Sequence, residues 1–155
     1  MSIRRAIGGA LVASTLLSLP ALPQEKRIKR SELPPAVARA VAEQSQGATI
    51  RGFSEEKENG QSLYEAELMV NGHSRDILLD ANGAVIEVEE QVRIDSLPAV
   101  VRDRLRATAG KGQLVKVESL TKQGKLVAYE AKVVTDGKRS EVQVGPGGEP
   151  LDHEE

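Results

Sequence analysis

Five carboxylates stand at spacings that suit chemistry: Glu65, Glu67, Asp76, Glu87 and Glu89. Residues two apart on a strand share a face, so such a set can form an acid/base pair or a cation site. A plainer role is a charged surface that keeps a sheet in water. Catalysis needs more than carboxylates, and neither segment supplies a nucleophile or a His beside them. The two His residues, His73 and His153, lie far apart, and each reads as an exposed loop residue. The tail around His153 can at most gather an adventitious metal. Asp80-Ala81-Asn82-Gly83 resembles the start of a calcium loop, but position twelve is Gln91 rather than Glu, and Val85, Ile86 and Val88 run on as a strand. A hairpin turn is the reading that follows. Tyr64 and Tyr129 can stack a ligand, yet Ala66, Leu68 and Val133 beside them point to a core position.

Composition removes further classes. With 0 Cys there is no disulfide framework, thiolate metal site or thiol nucleophile. A net charge of -2 with 2% aromatic residues supplies neither a basic stripe nor stacking platforms, so no nucleic-acid partner is expected. No catalytic residue, metal ligand or cofactor is assigned, and the chain reads as a non-enzyme.

The N-terminus reads as a targeting segment. Arg4 and Arg5 precede an uncharged run from Ala6 to Leu19, closed by Pro20 and Pro23. That run is shorter than the ~20 residues of a membrane span, so residues 1–23 read as a signal peptide with no stable membrane insertion after cleavage. The expected location is periplasmic or secreted. Gly8-Gly9 falls inside this segment and cradles no phosphate. Residues 24–32 carry clustered charge and read as a linker, with a membrane-surface contact as the alternative.

The elements that must position the carboxylates repeat along the chain. Leu33-Pro34-Pro35-Ala36-Val37 recurs as Leu97-Pro98-Ala99-Val100-Val101, and Tyr64-Glu65-Ala66-Glu67-Leu68 recurs as Tyr129-Glu130-Ala131-Lys132-Val133. Asn82-Gly83 recurs as Gly147-Gly148. A repeat of this order governs the fold. Each unit reads as a helix opening after Ser31 or Ser96, with a Pro in its first turn. Leu33, Val37, Ala40 and Val41 share one helical face, as do Leu97, Val101 and Leu105. Gln46-Gly47 and Ala109-Gly110 end the helices.

A period of two follows. Tyr64, Ala66, Leu68 and Val70 alternate with Glu65, Glu67 and Met69; Tyr129, Ala131, Val133 and Thr135 alternate with Glu130, Lys132 and Val134. Asn71-Gly72 and Asp136-Gly137 predict two-residue hairpins. Earlier strands are expected over Thr49 to Ser54 and Leu114 to Ser119, and a short last strand, interrupted by Pro150, near Glu149 to Asp152. The fold class is therefore α+β: two tandem repeats, each one helix followed by an antiparallel meander of three to four strands, with the helices packed on one sheet face. The repeats span 33–90 and 97–152.

A helix opening on Leu-Pro, the strand Tyr64-Glu65-Ala66-Glu67 and the hairpin Leu79-Asp80-Ala81-Asn82-Gly83-Ala84-Val85-Ile86 together resemble PepSY-like domains. Repeat two departs from that pattern, with Gly145 in place of Asp and Pro150 in place of an aliphatic. The resemblance implies secreted or envelope proteins without a catalytic motif, some associated with restraint of a peptidase. It also implies a distant likeness to the β-lactamase inhibitor protein, whose two helix-plus-sheet repeats bind an enzyme through the sheet. The expected function is binding of another envelope or secreted protein, such as a peptidase, through the uncovered sheet face. Glu65, Glu67, Met69, Glu130, Lys132 and Val134 are the expected contacts, mixing charge with apolar anchors. The alternative is a sensor that binds a cation or small ligand on the acidic part of that face.

Overall fold

The computed structural model describes residues 25–58 and 60–151. The signal-peptide reading of 1–23 and the tail around His153 lie outside them. Among the described residues two helices and eight strands follow the order β1 (Lys26–Ile28), α1 (Pro35–Gln44), β2 (Thr49–Glu58), β3 (Gln61–Val70), β4 (His73–Asp80), β5 (Val85–Gln91), α2 (Ala99–Ala109), β6 (Gln113–Lys122), β7 (Lys125–Thr135) and β8 (Lys138–Val144). All eight strands form one antiparallel sheet in sequence order. The two segments read as repeats, 33–90 and 97–152, contribute strands to the same sheet, joined where Glu89 of β5 pairs with Leu120 of β6.

Each helix is preceded by a single 3-10 turn, Arg30–Glu32 and Ile94–Ser96. Pro34 and Pro98 occupy the N-cap positions, so the helices start a few residues later than Ser31 and Ser96 suggest. Val37 and Val41 of α1 and Val101 and Leu105 of α2 are buried. The first pair packs with Phe53, Ala66, Leu68, Ile77 and Leu79, the second with Val117, Ala131, Val133 and Val144. Tyr64 and Tyr129 are half-buried against these two cores. Strand register places both sets on one face, so both helices cover the same side. The opposite face carries no helix among the described residues.

The charged stretch read as a linker is corrected in part. Lys26–Ile28 pairs with β2 through Ile28 opposite Phe53, which seats Ile28 against the first core. Its single apolar residue gives no period, so only the pairing reveals the strand. His73 opens β4 rather than lying in the turn, and it is exposed. No strand follows Gly148 among the described residues.

Turns follow residue chemistry. Asn71 and Asp136 adopt φ of 51° ahead of Gly72 and Gly137, as a two-residue hairpin requires. Gln123-Gly124 makes a further hairpin that composition does not advertise. Gly83 is constrained twice. Its φ is +82°, and a Cβ there would lie 2.7 Å from the Ala36 carbonyl oxygen of α1. Gly72 has φ +84° with nothing near. Gly83→Ala should cost about 2 kcal/mol or more and Gly72→Ala about 1 kcal/mol, because only the first also pushes a helix. Urea denaturation of both variants reads the difference, and equal losses would refute the close-approach account.

Candidate functional site

The open face is built by alternation on six central and edge strands. Glu65, Glu67 and Met69 on β3 share it with Asp76 and Leu78 on β4 and with Glu87 and Glu89 on β5, through the pairs Glu67–Asp76, Glu65–Leu78, Leu78–Glu87 and Asp76–Glu89. Glu130, Lys132 and Val134 on β7 share it with Glu118 and Lys116 on β6 and with Gln143, Glu141 and Arg139 on β8. All six residues expected from the sequence thus point away from the helices.

They do not form one cluster. Glu65 belongs to a cavity of about 150 Å³ lined by Glu56, Glu65, Asp76, Leu78, Glu87 and Glu89. Lys132 and Val134 belong to a wider groove of about 690 Å³ toward β8, lined also by Val115, Lys116, Arg139 and Glu141. Glu67 pairs with Arg27 of β1, and Glu130 accepts a hydrogen bond from Gln143 Nε2 at 2.9 Å. One end of the face is acidic and narrow; the other is broader, with basic groups around Val115 and Val134.

Electrostatics distinguish the acidic end from a wet surface. Partial burial raises the Glu65 carboxyl, against the Ser54 hydroxyl that donates to it at 3.0 Å. Burial also raises Asp76, opposed by Lys116, and Glu87, opposed by Lys122 at 3.7 Å. Glu56 is raised by burial and by Glu58. Glu89 is pushed up to about 7, first by burial and then by Glu118, Glu130 and Glu87. Five carboxyls around one cavity each resist ionisation because water is partly excluded and their neighbours carry like charge. Such a site favours any cation that enters it.

Between the two ends stands Glu118, 1% exposed. Lys116 Nζ lies 2.5 Å and Lys132 Nζ 3.5 Å from its oxygens. Neither oxygen meets hydrogen-bond geometry, so neutralisation comes from these two ammonium groups by proximity. On Lys132, burial pulls the ammonium down, but Glu118, Glu141, Glu89 and Glu130 outweigh it and hold it up. Ligand atoms of Asp76, Glu89 and Glu118 lie within 4.8 Å of one another, a spacing open to a metal ion. The two lysines already supply positive charge there. A divalent ion would have to compete with them.

Sequence reasoning missed Glu118, Lys116 and Glu56. Two bulges hide them. Register slips between Ile50 and Gly52 and between Leu114 and Lys116. Leu114 and Val117, three apart, both reach the helix-covered core, so strict alternation loses count at Val115. The slips fall at matching places after the two helices, but they show only in the strand pairing and leave no mark in the residue types. The turn at Asp80 is settled as a hairpin: its Oδ1 accepts the Asn82 and Ala84 backbone N–H groups, each at 2.9 Å.

The Ser54 hydroxyl is 1% exposed and directed at Glu65, which closes it to a substrate.

No protein-family model and no curated protein matches the chain. Solved structures do. A BLIP-like protein from Bacteroides fragilis superposes with a TM-score of 0.57 at 20% identity, over 77% of this chain and 83% of that one. A DUF2874 family protein from Bacteroides ovatus gives 0.60 at 17%, over 77% and 85%. A protein from Bacteroides eggerthii, named as a candidate periplasmic protein, gives 0.62 at 17%, over 77% and 86%. These likenesses establish the fold class: α+β, of BLIP-like architecture. No helix of the described residues is long and apolar enough to cross a membrane.

Proposed function

We propose that this is a non-enzymatic binding module of the periplasm or extracellular space, PepSY-like in family, that holds another envelope or secreted protein on its open sheet face. A peptidase or other envelope enzyme, restrained by the contact, is the partner class. The observation that carries the reading is the cavity between Glu65, Asp76 and Glu89, whose carboxyls are raised by burial and mutual repulsion. A Lys or Arg side chain from the partner fits there, because it relieves both penalties at once. Met69 and Val134 add apolar contact, and Glu67, Glu130 and Lys132 add charge around it. The BLIP-like fold supports a protein-binding role, and the signal-peptide reading of residues 1–23 supports the location.

The test is capture from an envelope extract. The wild type should retain one protein that a folded Glu65→Lys, Glu67→Lys, Met69→Lys variant loses, and the captured protein's activity should fall when the module is added back. Capture that ignores the triple variant would reject the face.

The second reading is a cation or small-ligand sensor, favoured by the spacing of Asp76, Glu89 and Glu118. A sensor should gain thermal stability when the ion is added, since a ligand that binds only the folded state stabilises it. The lysines beside Glu118 favour the protein-binding reading, which predicts no such gain.

A further inference from the structure

The two repeats differ at one edge, and the difference leaves apolar surface uncovered. In the first repeat β4 pairs on its outer side with β5, and Val88 of β5 lies opposite Ile77 and packs on the core; Ile77 is 1% exposed. In the second repeat β8 corresponds to β4, and the turn after it begins in the same way. Gly145 N–H donates to the Glu149 carbonyl at 2.8 Å, just as Asp80 N–H donates to the Ala84 carbonyl at 3.0 Å. No strand then returns along β8 among the described residues, and the residue in line with Val85 is Pro150, which lacks an N–H. Val142, the counterpart of Ile77, is only half-buried. Val100 of α2, whose Cγ2 would sit 3.0 Å from a Cβ on Gly148 in this turn, is 56% exposed. The outer edge of β8 is a seven-residue row of backbone groups beside an incompletely covered core.

We propose that this edge is covered by β8 of a second copy of the chain, paired antiparallel about a two-fold axis through Ser140. The residues of β8 say which occupant fits. A two-fold at Ser140 sets Arg139 opposite Glu141, twice, on the open face. On the helix-covered face it sets the Lys138 stem beside Val142, twice, so that methylenes cover the half-buried side chain. Shifting the axis to Glu141 would oppose two like charges instead. Arg139 has no ion-pair partner among the described residues, and Glu141 is 54% exposed despite Lys132 at 3.6 Å. The other sheet edge is a poor alternative partner: β1 has three residues, two of them Lys26 and Arg27, too short to span β8. A two-fold closes the assembly at two copies, whereas β8-to-β1 pairing would run on without end. The axis stands perpendicular to the sheet, so both open faces would lie on one side of a continuous sixteen-strand surface, leaving the acidic cavity between Glu65, Asp76 and Glu89 free.

Sedimentation of the purified protein should show a concentration-dependent dimer. Arg139→Glu and Glu141→Arg should each weaken self-association about 10- to 100-fold, since each replaces two attractive pairs with two repulsive ones. The exchanged double variant, Arg139→Glu with Glu141→Arg, should restore it. The register has its own readout. Residues opposite across an antiparallel pair have Cα atoms about 4.5–5.5 Å apart, within disulfide span, and the chain contains 0 Cys. Ser140→Cys should therefore oxidise to a covalent dimer, while His73→Cys, exposed at a different hairpin, should not. A monomer at all concentrations, a polymer beyond two copies, or a double variant that stays dissociated would overturn the proposal. So would a dimer that forms only after residues 152–155 are deleted, which would assign the edge to the chain's own tail.

Discussion

Acidification from pH 8 to pH 5 should raise the melting temperature of this protein by about 5–10 °C, with Glu89 as the main source. Glu89 has an ordinary value of 4.5 and a folded value of about 7. The folded state therefore binds a proton that the unfolded chain has released between these two values. The resulting stabilisation is fully present below pH 4.5 and is lost as pH rises through about 7. The full displacement corresponds to roughly 3 kcal/mol, and a side chain partly open to water keeps about 2 kcal/mol of it. Glu118 of β6, Glu130 of β7 and Glu87 of β5 are the charged groups that raise Glu89, and only Lys132 of β7 opposes the shift. Glu56, Glu65, Asp76, Glu87 and Glu130 are displaced in the same direction, so they add to the effect. Glu89→Gln should raise the melting temperature at pH 8 and flatten the profile. A flat or inverted wild-type profile would contradict the burial of this carboxyl. The functional counterpart is that a cationic partner displaces the proton, so capture should be tighter at pH 8 than at pH 5.5.

Removing both ammonium groups from Glu118 should be the most damaging change on the open face. Lys116→Met with Lys132→Met keeps most of the packing volume and leaves a carboxylate at 1% exposure without positive charge nearby. Stranding one member of a buried pair costs about 3–5 kcal/mol, and the partial exposure of the two lysines argues for about 3 kcal/mol here. Adding Glu118→Gln to the double variant should recover most of the loss, because the cost lies in the stranded charge rather than in lost contacts. Urea denaturation at pH 8 measures all three proteins. If the double variant stays within about 0.5 kcal/mol of wild type, Glu118 is better hydrated than its burial indicates. If Glu118→Gln rescues nothing, the lysine stems rather than their charges hold the sheet together.

These two predictions rest on residues of unequal visibility in the sequence. Glu89 sits in a strand whose alternation with Val88 is plain. Glu118 is hidden by the bulge at Val115, and nothing local announces that a carboxylate in Val117-Glu118-Ser119 is buried. Ser54, its counterpart in the first repeat, is equally buried, at 1% exposed. Burial at this position is a property of the sheet, whichever side chain stands there.

The sequence by itself determined the local chemistry: the helices from their apolar faces, the hairpins from Asn71-Gly72 and Asp136-Gly137, and the side of the sheet on which Glu65, Glu67, Met69, Glu130, Lys132 and Val134 lie. Those features depend on periods of two and 3.6 and on turn residues, all of which act over a few neighbours. Only the tertiary structure decided that β5 joins β6 into one sheet and that Lys26–Ile28 adds an edge strand. It alone divided the expected contacts between an acidic cavity and a basic groove. Pairing partners, bulge positions and the exclusion of water come from segments far apart in the chain, and the protonation of Glu89 and the burial of Glu118 are set by which strands stand beside them.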